Sequence, residues 1–149
     1  MRSIRTTITL VLVAAACSSP LDQGEARELA TSRAKWSQRS FADYSFEARH
    51  GCTFCSPEEL GPVRITVRQE TVADVTLLET GASVDPGLWF SIEQLYEQIP
   101  VWAKGEGVDD VIVDYDPTLG FPSSIQVRYE EGILDAGDTY SVSNVGPAQ

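Results

Sequence analysis

Three cysteines, one histidine and 22 acidic side chains are the chemically capable residues of this 149-residue sequence. Cys52 and Cys55 stand in the run Gly51-Cys-Thr-Phe-Cys, with the sole histidine, His50, just ahead of them. Such a pair can form a disulfide, act as a redox couple or ligate a metal. A thioredoxin-like couple wants its first cysteine at the start of a helix in a βαβ setting. This pair instead follows a strand-like run and precedes Ser56-Pro57. Haem attachment needs a histidine directly after the second cysteine, where Ser56 stands. A structural zinc site needs four ligands, and His50, Cys52 and Cys55 offer three at most, with no second Cys-x-x-Cys. The expectation is a short Cys52–Cys55 disulfide that pins a local turn, with no metal and no cofactor. A loop this small contributes little chain-entropy stabilisation.

The carboxylates give no sharper signal. Asp109, Asp110, Asp114 and Asp116 crowd one expected hairpin, and oxygen ligands of this kind suit calcium. Starting an EF-hand loop at Asp114 puts Leu119 where the turn glycine belongs and Ile125 where the bidentate Glu belongs, so the motif fails. The plainer reading is a turn: Asp116 initiates it, Pro117 fixes φ and Gly120 accepts a positive φ. No Gly-x-Ser-x-Gly elbow, P-loop or His-Glu-x-x-His occurs, and a serine triad would have to centre on His50, beside the expected bridge. The chain reads as a non-enzyme.

The third cysteine has a different setting. Arg2 and Arg5 precede a nearly uninterrupted apolar run from Ile8 to Ala16, the layout of a secretion signal. That run is about half of the roughly 20 residues that span a bilayer as a helix. Ala14, Ala15 and Ala16 directly before Cys17, and Ser18-Ser19-Pro20 after it, resemble the bacterial lipobox, in which the cysteine is acylated and becomes the new first residue. The expected organisation is a signal peptide at 1–16, a tether at 17–24 lipidated on Cys17, a domain at 25–145 and a disordered tail at 146–149. Localisation follows: the cell envelope, lipid-anchored to the membrane, facing the periplasm or the cell exterior. Stable anchoring takes more than one acyl chain, because each buried methylene contributes about 0.8 kcal/mol and a single chain is marginal.

Loss of residues 1–16 removes two of the 11 cationic residues and none of the 22 acidic ones, moving the formal charge from −11 to −13. Nucleic acid and polybasic attraction to anionic lipid both need clustered cations, so neither partner is expected. A composition 42% hydrophobic and 22% charged, with 11 Gly and 8 Pro, excludes collagen, low-complexity disorder and coiled coil, and suits one domain with a real core.

The elements that must position these residues can be read from hydrophobic period. Ala26, Leu29, Ala30, Arg33 and Trp36 recur at helical spacing between Leu21 and Gln38, with Trp36 as a core anchor. Tyr44, Phe46 and Ala48 alternate as a half-buried strand. Val63, Ile65 and Val67 should pair with Ala73, Val75 and Leu77 around Gln69-Glu70, where the absence of Asn-Gly or Asp-Gly points to a longer or bulged loop. Thr80 to Leu88 reads as an exposed connection followed by Trp89 and Phe90, which are candidate contact residues or, more plainly, side chains tucked onto the sheet. Ser91 and Gln94 form a capping-box pattern for a short helix through Ile92, Leu95, Tyr96 and Ile99 that Pro100 should end. Val111, Val113 and Tyr115, then Ile125, Val127 and Tyr129, make opposed strands, and Tyr140 with Val142 an edge strand. The fold class is α+β: an antiparallel sheet of five to six strands with an N-terminal helix and a second short helix on one face.

Taken in order, the Trp36 helix, Asp43-Tyr44-Ser45-Phe46, Cys52 and Cys55, Gly61-Pro62-Val63-Arg64-Ile65-Thr66-Val67, the Ile92–Ile99 helix and Tyr115-Asp116-Pro117-Thr118-Leu119-Gly120-Phe121-Pro122 resemble the bacterial lipoprotein family known as domain of unknown function 6174. The resemblance spans about Glu25 to Val145 and implies an exported lipoprotein with an α+β domain. It transfers no catalytic residue. The function expected is a binding or accessory module of the cell envelope, meeting an unidentified protein or small molecule through the sheet face or the 80–90 loop. The alternatives are a thiol-disulfide redox protein using Cys52 and Cys55, and an inhibitor of an extracellular enzyme.

Overall fold

The computed structural model describes residues 21–52, 55–130 and 137–149. The expected leader at 1–16 and the expected attachment residue Cys17 lie outside them. Six antiparallel strands form one sheet: β1 (Tyr44–Gly51), β2 (Val63–Arg68), β3 (Thr71–Leu77), β4 (Val108–Tyr115), β5 (Pro122–Tyr129) and β6 (Gly137–Pro147), in the order β3-β2-β1-β6-β5-β4. Helices α1 (Gln23–Ser37) and α3 (Ile92–Trp102) cover one face, and a four-residue α2 (Pro57–Leu60) follows the cysteine pair.

The folded domain starts ahead of the expected boundary at residue 25. Asp22 caps α1, its carboxylate accepting the Glu25 N–H at 2.8 Å while Glu25 reaches back to the Asp22 N–H, and Leu21 is already buried in the core. The helix turns Leu29, Ser32 and Trp36 inward and leaves Ala30 and Arg33 exposed, so the stripe is narrower than the periodicity suggested. Trp36 is 2% exposed, edge-on to Tyr44 and Phe121. In α3 the capping box forms and Ile92, Leu95, Tyr96 and Ile99 are buried. Pro100 does not stop this helix. It forfeits only its own amide donor, and the last turn still closes through the Ala103 N–H to the Ile99 carbonyl, at 3.1 Å.

Three further expectations need correction. The β2–β3 connection is a tight two-residue turn with Gln69 at φ 50° and Glu70 at φ 63°, and the irregularity sits inside the strand, where Ala73 bulges out exposed between Val72 and Asp74. Strand β6 is central and not an edge, because it pairs with both β1 and β5. The stretch from Gly146 does not fray at its start: Gly146 pairs with Ser45, Pro147 with Tyr44, and the Ala148 N–H reaches the Asp43 carbonyl. Asn144, at φ 53°, forms the bulge that lets β6 follow β1 this far, and its amide donates to Glu47 Oε2 at 2.7 Å.

Candidate functional site

The last residues of β1 and the first of β6 build the only place where the sequence candidates meet among the described residues. His50 pairs with Tyr140 and Gly51 with Thr139, which brings Cys52 alongside the start of β6. The sulfurs of Cys52 and Cys55 lie at disulfide-bonding distance, with Cα atoms 5.6 Å apart. Both residues are half-buried. After Cys55 the chain turns into α2, where the Ser56 N–H donates to the Glu59 carboxylate at 2.8 Å. That bond holds the Glu59 carboxyl below its usual range.

His50 is fixed from three sides. Its ring stacks on Tyr140 with centroids 4.0 Å apart and planes at 11°. Its Nδ1 lies 3.6 Å from Cys55 Sγ, and its Nε2, buried without a hydrogen-bond partner among the described residues, faces Asp138 Oδ1 at 3.9 Å. Burial pushes the imidazole below its ordinary pKa, against the opposing pull of Asp138 and Glu59. At neutral pH the ring is therefore uncharged, with a lone pair available.

The second sequence candidate, Phe90, joins this place through Tyr140. Phe90 packs edge-on against Trp102 (5.9 Å) and Tyr140 (6.1 Å), and Trp102 stacks on Tyr140 at 5.2 Å and 15°. Phe90, Trp102, Tyr140 and His50 form a half-buried aromatic strip that ends at the cysteine pair. Burial first, then the nearby Asp138, raises the Tyr140 phenol, so it stays a neutral hydroxyl. Trp89 does something else: it is 5% exposed and lies over Gly61, where an added Cβ would meet its ring at 3.2 Å. It is a core residue with almost no surface to offer a partner. Tyr140 and Asp138 escaped sequence reasoning as site residues because only the strand register makes them neighbours of His50, and Trp102 because only the packing of α3 brings it onto Tyr140.

Two of the four aspartates of the acidic hairpin take structural roles. Asp116 Oδ1 accepts the N–H groups of Thr118 and Leu119, at 2.9 and 2.6 Å, and Asp110 pairs with Arg128 at 2.5 Å. Gly120, at φ 87°, presses so close to α1 that a Cβ would fall 2.4 Å from the Ser32 carbonyl oxygen, and the Tyr96 hydroxyl donates to the Gly120 carbonyl at 2.5 Å. The Tyr115–Pro122 motif thus locks the β4–β5 reversal onto both helices.

A family model matches residues 28–147, and its description is a family of unknown function, DUF6174. The chain belongs to that family. In this DUF6174 domain the matched stretch takes in all six strands and most of α1, so the aromatic strip, the cysteine pair and the Gly120 lock all fall within it. No curated protein and no solved structure matches the chain.

Proposed function

We propose that this DUF6174 domain is an exported binding module, held at a membrane surface by an acylated Cys17, that meets its partner through the strip Phe90, Trp102, Tyr140 and His50. The observation that carries the binding reading is convergence. An aromatic from the 80–90 loop and the His50–Cys55 segment, about 40 residues apart, share one half-buried surface through Tyr140. Aromatic side chains of this kind supply large rigid contact area at low entropic cost. The anchoring reading is supported by the leader sequence, and a cysteine pair at bonding distance suits an oxidising compartment. With Leu21 in the core, only three residues separate Cys17 from the folded body, so an acyl anchor there would hold the domain close against the bilayer.

Mass spectrometry of the native protein from membranes tests the anchor: residues 1–16 absent and an acylated Cys17 are expected, and an intact leader in the cytosol overturns it. Affinity capture from the envelope tests the surface. Phe90→Ser and Trp102→Ser should each lose a partner that the unaltered chain recovers reproducibly, while Ile112→Ser, on the opposite edge strand, should keep it. A partner retained by both strip variants rules the strip out.

A further inference from the structure

We propose that reduction of the Cys52–Cys55 pair opens a zinc site whose protein ligands are the two thiolates and His50 Nδ1, with Asp138 orienting the imidazole through Nε2. One sulfur or nitrogen atom from each of the three residues lies within 4.8 Å of those of the other two. The decisive distance is that from His50 Nδ1 to Cys55 Sγ, 3.6 Å. Zinc bonds of about 2.3 Å to sulfur and about 2.0–2.1 Å to nitrogen, at tetrahedral angles, give a sulfur–nitrogen edge of about 3.5 Å. His50 and Cys55 already stand at that edge. The second thiolate must lie about 3.8 Å from the first by the same geometry, and side-chain rotation across a Cα separation of 5.6 Å supplies the opening.

The other side of the ring fits as well. A metal-bound histidine almost always gives its remaining N–H to a carboxylate, a carbonyl or water. Here Nε2 is buried without a hydrogen-bond partner among the described residues and faces Asp138 Oδ1 at 3.9 Å, so a small shift closes that bond. The Tyr140 stack holds the ring plane for both contacts. Three protein ligands leave the fourth zinc position to water, the pattern of an open site and not of a closed structural one.

A dithiol reductant breaks the Cys52–Cys55 bond by two thiol-disulfide exchanges, losing two electrons and two protons as it becomes a disulfide, and both protein sulfurs become thiols. Zn2+ then displaces the two thiol protons to solvent and takes the lone pair of Nδ1, while the ring proton stays on Nε2. Cys52 and Cys55 are only partly buried, which gives a reductant access to the pair. In the oxidised state no thiolate exists, so zinc capture is gated by redox state.

The test uses the full chain carrying Cys17→Ser, so that the site supplies its only two thiols. It is reduced with a phosphine, which passes on two electrons and takes up oxygen from water, and is titrated with Zn2+ against a chromophoric chelator and with Co2+ as a spectroscopic probe. One equivalent should bind the reduced chain, about a hundredfold or more tighter than the oxidised one, with thiolate-to-cobalt charge transfer and tetrahedral bands. His50→Gln should weaken binding about tenfold or more and shift the cobalt bands, and Asp138→Asn should weaken it about tenfold with the bands retained. Equal affinity in the two redox states, or an unchanged affinity and cobalt spectrum in His50→Gln, overturns the proposal. The oxidised chain serves as the thiol-free reference, so no cysteine variant has to fold, and the outcome is independent of anchoring and partner capture.

Discussion

The Tyr44 hydroxyl lies between the two ends of one hydrogen-bonded junction: it donates to the Glu93 carboxylate at 2.5 Å and accepts the Ile92 N–H at 3.0 Å. Glu93 also accepts from Trp36 Nε1 at 2.8 Å and from Arg39 at 2.9 Å, and the Arg39 guanidinium lies 4.2 Å over the Trp36 ring. One largely buried carboxylate therefore joins α1, β1 and the first turn of α3. The phenol of Tyr44 is pushed far above its ordinary pKa by burial and then by Glu93, so it acts only as a neutral donor and acceptor.

Removing that carboxylate leaves the Arg39 charge buried without a counterion. Glu93→Ala should cost about 3–5 kcal/mol of stability. Tyr44→Phe, which leaves one acceptor and one donor short of a partner, should cost about 1–3 kcal/mol. Urea unfolding followed by tryptophan fluorescence measures both, and a Glu93→Ala variant as stable as the parent would remove the knot from the account.

Gly120 makes a sharper demand. Its φ of 87° and the 2.4 Å approach to the Ser32 carbonyl leave no room for a methyl group. Gly120→Ala should destabilise by about 2 kcal/mol or more, combining left-handed backbone strain of about 1–2 kcal/mol with displacement of α1. Gly81→Ala, with a similar φ of 70° but open space around it, should cost only the backbone part, and comparing their urea midpoints isolates the clash.

The β2–β3 turn offers a gain. Gln69 and Glu70 both hold positive φ without being Gly or Asn. Gln69→Asn combined with Glu70→Gly should stabilise by about 1–2 kcal/mol, as the primed turn is relieved of side-chain strain. The bond from the residue 69 N–H to Asp43 survives the change because it uses backbone. A higher unfolding temperature is the readout.

His50 sets a pH dependence. Its folded pKa is depressed by burial, so the unfolded chain takes up the proton first as pH falls. Stability is complete above the ordinary histidine pKa of about 6.5 and declines as pH drops below it toward the folded value. Glu47, held low chiefly by Arg64, and Glu59, held low by Ser56, add losses only below the usual carboxylate range. Urea midpoints between neutral pH and pH of about 5 should therefore fall for the parent and stay nearly flat for His50→Gln.

Much of the fold was legible because it depends on local period and caps. Trp36, the Ser91–Gln94 box and the alternation of Tyr44, Phe46 and Ala48 each write their element into a few adjacent residues. What escaped depends on residues far apart in sequence. The central place of β6 is set by register with β1 and β5, and an alternating run reads the same at an edge or in the middle. Glu93 goes unmarked in the sequence, because Trp36, Arg39 and Tyr44 meet it only in the fold. Pro100 was misleading because a proline near a helix end loses one bond that the final turn does not need. At the site, Cys52, Cys55, His50 and Phe90 were visible by type, while Tyr140, which unites them, was hidden in a strand.

Because β6 lies between β1 and β5, only Gly137–Pro147 joins the two parts of the sheet, a three-stranded meander and a hairpin. A ribosome supplies that strand after the other five. A nascent chain halted before residue 137 presents two bare edges, at β1 and β5, to proteases and to other unfinished chains. His50 stacks on Tyr140 only where β6 has docked on β1, so the strip and the proposed zinc site both depend on the finished sheet.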